Sequence, residues 1–424
     1  MLPLPTDRPL RILLGTCEIA GLLPIVADAF RANGHHVTTV VKVRNEWWPD
    51  TYDYDYSNRA TTALDAIEFG NLVAQHDVLY FQWARHSFVD DLSDLPLYRK
   101  LGKRIIYTAL GCDIRAGAAF SQLYEQHGLT LADGFELMPL DATMHAHRMM
   151  ELFADVVYAQ PNFASLAIRP YHHASVPVQL AKYSPHVAGR EVPLVVHAPS
   201  SRGRKGSHVI LAALEQLRTE GVEFELQLVE NVPHTELLNI FSNADVVLDQ
   251  TNNAMHGRTT VDAWASGCAV ATSDSPEIEP LPAPRPLCRI SPDLRTTTEQ
   301  LRGLLTQRDR RLELAQQGLA YVQQWHDHVK FGARAIEHLA NPSGTVEHLP
   351  EFFARHFAAP ANEPVPEYLK QLTAAVIEQY GIPADIDARS LAARGLVLPK
   401  DVARVAAAQR RRHSALASAT TRVA

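Results

Sequence analysis

The chain has 424 residues, 46% of them hydrophobic, and carries 40 Lys and Arg against 47 Asp and Glu for a formal net charge of −7. That length is a soft prior for two or more domains with substantial cores. The negative balance argues against a general polyanion binder, so basic groups are expected to act locally.

Four cysteines, Cys17, Cys112, Cys268 and Cys288, lie far apart with neither zinc spacing nor disulfide density. Buried thiols in a reducing compartment are therefore expected. Residues 1–8 lack a signal peptide's apolar region, and no apolar run approaches membrane-spanning length. A soluble, cytoplasmic protein without a transmembrane segment is expected, and the chemistry predicts no nucleic-acid partner.

In chain order, strands and helices alternate twice, the pattern of two doubly wound α/β domains. The first half opens with an apolar strand at 10–15, a loop at 16–21 and an amphipathic helix ending near Gly34. Strands follow near His36–Val41, 77–81, Arg104–Thr108 and Val156–Ala159, with helices between. Gly15, Gln82, Gly111 and Gln160 stand at their ends, and ligands of open parallel sheets bind outside the carboxyl ends of strands. The Gly15 loop is not Gly-x-Gly-x-x-Gly, which argues against a dinucleotide cofactor.

Residues 44–58 intersperse Trp47, Trp48, Tyr52, Tyr54 and Tyr56 with carboxylates. Aromatic faces stack on sugar rings, so this is either part of an acceptor platform or a loop packed on its own domain. Asp113 and Arg115 read as a structural ion pair or as acceptor contacts. His86, His172, His173 and His197 are acid/base candidates on titration grounds, or structural. A linker is expected near 182–192.

The second half begins with a strand, Leu194-Val195-Val196-His197-Ala198-Pro199, followed by Ser200-Ser201-Arg202-Gly203-Arg204-Lys205-Gly206. A helix then shows Val209, Ile210, Ala213, Leu214 and Leu217 on one face. Three cations, two glycines and two hydroxyls in this loop suit phosphate oxygens, although the Walker spacing is absent. A further buried strand at 244–250 leads to Gly257, then a helix with Asp262 and small residues, Gly267, and another apolar strand. A glycine at a helix start lets a ligand approach free N–H groups where the dipole favours phosphate. Asp262 stands about one and a half turns on, where a carboxylate can accept bonds from sugar hydroxyls. Singly, these segments also fit a solvated basic turn and an ordinary crossover. Together they point to a nucleotide diphosphate.

The ordered set resembles retaining GT-B glycosyltransferases of the family-4 group over roughly residues 8–340. Lys205-Gly206 matches the family's Lys-Gly loop, and Gly257…Asp262-Ala263-Trp264-Ala265-Ser266-Gly267-Cys268-Ala269-Val270 matches its Gly-x-x-x-x-Glu-Ala-Met-Ala-x-Gly-x-Pro-Val run. The stretch from Val232 to Ala244-Asp245-Val246 is similar to its helix-then-Ala-Asp-Val passage, and Leu110-Gly111-Cys112-Asp113-Ile114-Arg115 to its His-Gly-Ser-Asp-x-Arg loop. Four positions depart: Ala254 and Asp262 stand where members usually carry two glutamates, Ser200 where they carry Arg, and Gln82 where they often carry His.

The resemblance implies an acceptor-side Rossmann-like domain at 1–185, a donor domain at 193–340 and a helical tail at 341–424. It implies hexosyl transfer from a UDP- or GDP-linked sugar to a glycan, lipid, protein or small-metabolite acceptor, with retention and without a metal or other cofactor. Lys205, Arg204 and Gln82 are the catalytic candidates. Gly15 (on a loop of the acceptor side), Arg202, Glu230, Asn231, Val232, Gly257, Arg258, Thr259 and Asp262 are the donor-binding ones. Gly111, Asp113, Arg115, Trp47 and Trp48 are acceptor-side. Two other readings stay open: a catalytically silent sugar-nucleotide-binding scaffold, prompted by Ala254 and Gln82, and a GT-B nucleotide-sugar epimerase.

The tail carries Leu369, Leu372, Val376, Ile377 and Tyr380 at helical spacing before Gly381, and a basic cluster at Arg410-Arg411-Arg412. A solvated helix end and a peripheral membrane contact both fit that cluster.

Overall fold

The computed structural model describes residues 4–411 except 6, 45–50, 58, 84–86, 116, 127–137, 161–163, 165, 170, 279–282, 343–364, 382–387 and 409. Trp47, Trp48 and His86 therefore lie outside the described residues.

The first half holds strands β1 (Arg11–Gly15), β2 (His36–Val41), β3 (Tyr54–Asp55), β4 (Val78–Gln82), β5 (Arg104–Thr108), β6 (Val156–Ala159) and β7 (His172–His173). They form one parallel sheet in the order β3-β2-β1-β4-β5-β6-β7. Ile12 registers with Val37 on one side and Val78 on the other. β4 and β5 are buried along their whole length, as expected where helices cover both faces of a parallel sheet. Helix α1 (Leu22–Ala32) packs Leu23, Val26, Ala27 and Phe30 against one face. Helices α2 (Ala63–Gln75), α3 (Leu95–Lys100), α4 (Gly117–Gln126) and α5 (Leu140–Phe153) complete this half. The strand order reverses between β1 and β4, which opens a crevice beyond Gly15 and Gln82.

The second half holds β8 (Leu194–His197), β9 (Glu225–Leu228), β10 (Val246–Leu248), β11 (Ala269–Thr272) and β12 (Cys288–Arg289). These are again parallel, in the order β12-β11-β10-β8-β9. Here the reversal lies between β8 and β10. The basic segment follows the first of these strands and Asp249-Gln250 the second, so one crevice receives both. Helices α6 (Arg202–Lys205), α7 (Ser207–Thr219), α8 (His234–Phe241), α9 (Arg258–Ala265), α10 (Leu294–Thr306) and α11 (Arg308–Trp325) surround this sheet. Trp264 of α9 is fully buried against α11, where a Cβ on Gly318 would come within 2.3 Å of its ring.

The chain then returns to the first half. Helix α12 (His328–Ala340) lies on α1 so closely that a Cβ on Gly332 would meet the Ala29 carbonyl oxygen at 2.5 Å. Beyond it, α13 (Glu367–Tyr380) buries Leu369, Val376 and Ile377 against Met144, Leu166 and Ile168. Its C-cap, Gly381, has a φ of 73°, where glycine avoids a steric penalty. Arg148, wholly buried, ties α5 to α13 through Thr373 Oγ1 at 2.9 Å. A short helix α14 (Ala388–Ala393) adds Leu391 to the same cluster. Among the described residues no helix is long and apolar enough to cross a membrane.

Candidate functional site

The basic segment is a single helical turn, α6, rather than the open loop its glycines suggest. Gly206 ends that turn with a φ of +65°, and a Cβ there would lie 1.9 Å from Thr251 Oγ1. The left-handed glycine thus starts α7 while bringing Lys205 back over the end of β10. Lys205 Nζ donates to Asp249 Oδ1 at 2.6 Å and to Gln250 Oε1 at 3.0 Å. The α9 helix starts beside it: Gly257 is an extended N-cap with no side-chain cap bond, and a Cβ on it would lie 4.0 Å from Lys205 Nζ. An ammonium and the uncapped first turn of a helix therefore face one spot, which suits a phosphate. Arg204 is exposed beside it, and Thr259 is half-buried on the first turn of α9.

Asp262 sits deeper than a surface acid. It is 1% exposed, and its Oδ1 accepts from Tyr183 Oη at 2.5 Å and from Arg258 Nε at 2.8 Å. Its Oδ2 meets His234 Nε2 at 2.8 Å. Burial opposes the charged form, but Arg258 and the bonds from His234 and Tyr183 hold the pKa below the usual carboxylate range. Any further donor reaching this carboxylate shares it with these groups. His234, at the start of α8, is the more exposed partner, with a fifth of its side chain accessible. Arg202 and Glu230 form an exposed bidentate pair across the crevice mouth. Next to them Asn231 has a φ of 56°, a conformation Asn tolerates, and Val232 is half-buried.

The first half contributes differently. A Cβ on Gly15 would meet the Val40 carbonyl oxygen at 2.9 Å, so that turn is closed by its own sheet. Buried Glu18 accepts from the Leu22 and Leu23 amides at 3.1 and 3.2 Å. This carboxylate occupies the start of α1, where an anion would otherwise sit. Gln82 is buried and donates to the Cys17 carbonyl at 2.7 Å, bracing the same loop. Asp113 accepts from the Gly111 amide at 2.6 Å and so holds the turn it belongs to. Arg115 lies over the Phe120 ring at 4.8 Å. Of the acid/base candidates, His197 bonds the Leu248 carbonyl and Ser207 Oγ, and burial lowers its pKa. His172 is buried and stacks on His338 at 3.7 Å between centroids, and His173 lines a small cavity beside His256 and His326.

Besides Tyr183 on Asp262, Arg258 and Tyr124 join the halves at the crevice. Arg258 Nη1 donates to the Ala20 carbonyl at 3.3 Å. Tyr124 Oη donates to Asn253 Oδ1 at 2.7 Å and accepts from the Ala254 amide at 3.0 Å. Ala254 is fully buried with Phe120, Tyr124 and Ile278.

The sequence assigned no role to Asp249, Tyr183, His234 or Tyr124, although the first three hold assigned residues in place and Tyr124 holds the loop before α9. Only Asp249 carried a signal, an acid at the carboxyl end of an apolar strand. The other three meet their partners from 28 to 130 residues away in sequence.

Residues 204–337 match a family model described as Glycosyl transferase-like. Among curated proteins there is no match. Of solved structures, the chain is similar to sucrose-phosphate synthase from Thermosynechococcus elongatus, with 13% identity, 78% of this chain and 98% of that one covered, and a TM-score of 0.54. HepE from Anabaena, solved with UDP and glucose, shares 13% identity over 78% of this chain and 100% of its own at a TM-score of 0.48. A glycosyltransferase from Rickettsia africae shares 10% identity over 79% and 98%, with a TM-score of 0.49. The fold is GT-B: two parallel α/β sheets facing a crevice, with a helical C-terminal addition.

Proposed function

We propose that the protein is a nucleotide-sugar-dependent glycosyltransferase, with residues 193–340 holding the donor and residues 1–185 the acceptor. The observation that carries this reading is the convergence of Lys205 and the open α9 N-terminus on one spot at the switch point of the second sheet. Lys205, with Arg204 beside it, neutralises charge developing on the leaving diphosphate, and the Arg258 and Thr259 amides support the same oxygens. The Arg202–Glu230 pair, Asn231 and Val232 border the nucleoside, and the Asp262–His234 pair borders the ribose. The co-substrate is a UDP- or GDP-linked hexose, with no metal or other cofactor. The family resemblance supports retention: the acceptor oxygen bonds the anomeric carbon on the face the diphosphate leaves. A departing phosphate oxygen takes the acceptor's proton. The acceptor loops are those beyond Gly15, Gln82 and Gly111.

The burial of Ala254 beneath Tyr124 favours a second reading, a binding protein without turnover. One experiment separates them. A thermal-shift screen of nucleoside diphosphates and nucleotide sugars, run on the unmodified chain and on Lys205→Ala, reads binding directly. An acceptor panel with the best donor then reads transfer. Transfer that falls ~100-fold or more in Lys205→Ala supports the enzyme; selective binding with no product across the panel supports the binding protein.

A further inference from the structure

Asp249 lies beneath Lys205 with its side chain wholly buried. Its two oxygens face different elements: Oδ1 accepts from Lys205 Nζ at 2.6 Å, and Oδ2 accepts from Thr260 Oγ1, inside α9, at 2.8 Å. One carboxylate therefore joins the ammonium to the helix whose N-terminus lies beside it. Gln250 adds a second hold on the ammonium at 3.0 Å, and its own amide is fixed by the Met255 carbonyl at 2.8 Å. The Thr251 amide also bonds the Lys205 carbonyl at 3.1 Å, so the lysine is held at its backbone and at its tip. An ammonium has three donors. Among the described residues two are used by Asp249 and Gln250, which leaves the third for a ligand at the Gly257 corner.

We infer that Asp249 is a positioning residue that fixes Lys205 against the α9 N-terminus, and that this pairing is what recognises the distal phosphate of a nucleoside diphosphate. The inference rests on the donor-site reading above. A flexible lysine would supply only a diffuse attraction, whereas one clamped from below offers a fixed point charge to an oxygen held by the helix amides. The carboxylate also cancels most of the lysine's long-range field, so the attraction is confined to direct contact. Two explanations for Asp249 then differ in sign. If its effect were only electrostatic, removing its charge would tighten diphosphate binding. If it positions Lys205, removing it weakens diphosphate binding and leaves monophosphate binding nearly unchanged.

The test uses the full chain and titration calorimetry with UDP, GDP and ADP, each against its monophosphate. Asp249→Leu removes both acceptor oxygens, Asp249→Asn retains one, and Thr260→Val releases only the tie to α9. We expect Asp249→Leu to lose ~10-fold or more of its diphosphate-over-monophosphate preference, Thr260→Val to lose part of it, and Asp249→Asn to lie between. Combining Asp249→Leu with Lys205→Ala should cost no more preference than Lys205→Ala alone, because the two side chains act as a unit. Where Asp249→Leu shows no cooperative melting, Thr260→Val decides. Tighter diphosphate binding, equal losses for both ligands, or an unchanged preference in a folded Thr260→Val overturns the inference. Absence of diphosphate binding by the unmodified chain overturns the donor-site reading instead.

Discussion

The Tyr124 hydroxyl accepts the backbone amide of Ala254 at 3.0 Å, from a helix of the first half to a loop of the second. The same hydroxyl donates to Asn253 Oδ1, and the ring packs with Phe120 and Ile278 around the alanine. The tie holds the loop that leads from β10 into α9. It therefore connects the first half to the start of α9.

Tyr124→Phe keeps the ring and removes both bonds, leaving the buried Ala254 amide without its acceptor. Such an orphaned group costs about 1–3 kcal/mol. We expect a lower unfolding midpoint and faster hydrogen exchange at residues 253–257. A midpoint and exchange profile equal to those of the unmodified chain would show that the contact does not hold the halves.

Asp262→Asn follows the burial of the carboxylate. From the sequence, this change merely weakens a hydroxyl contact. In the structure it leaves Arg258, itself enclosed, without its counter-charge, while Tyr183 and His234 lose a charged acceptor. Breaking a buried pair from one side costs about 3–5 kcal/mol. Urea unfolding should record a loss of that order, and an unchanged midpoint with weakened nucleotide binding would restore the simpler ribose role.

Gly206→Ala tests the turn that delivers Lys205. An L-residue at this φ costs about 1–2 kcal/mol before any clash, and the new methyl would overlap Thr251 Oγ1. We expect destabilisation above that range together with weaker diphosphate binding, since α6 must shift. Full stability in Gly206→Ala would mean that Thr251 moves aside freely.

Acid should unfold the protein through its buried histidines. Burial, with neighbouring Arg334 and Arg258, pushes His326 down from 6.5 to about 4, and burial with His338 and Arg169 beside it pushes His172 to about 3. Burial and nearby His326 also lower His256 well below its ordinary value. The unfolded chain binds protons at these sites from about pH 6.5 downward, while the folded one does so only near pH 4 and below. Their contribution is therefore complete above pH 6.5 and is lost as pH falls through 6.5 towards 4. His326 alone accounts for on the order of 3 kcal/mol. Unfolding midpoints flat between pH 7 and pH 4.5 would contradict the neutral, buried state of this cluster.

The alternating apolar strands and helices and the tail helix ending at Gly381 were legible from the sequence, because burial period and glycine chemistry are local properties. The basic run at 202–206 and the Gly257 helix start stood out in the sequence for the same reason, as a cation cluster and a glycine before a helix. That they converge at one switch point was decided only by strand order, which sets β8 beside β10. The tertiary structure also decided that Asp262 is a buried hub, that Glu18 fills the α1 N-terminus, and that Gln82 braces the Cys17 loop. Each of these depends on a partner distant in the chain or on burial of a charged group. Composition and spacing do not encode which oxygen a carboxylate turns towards which donor; packing does.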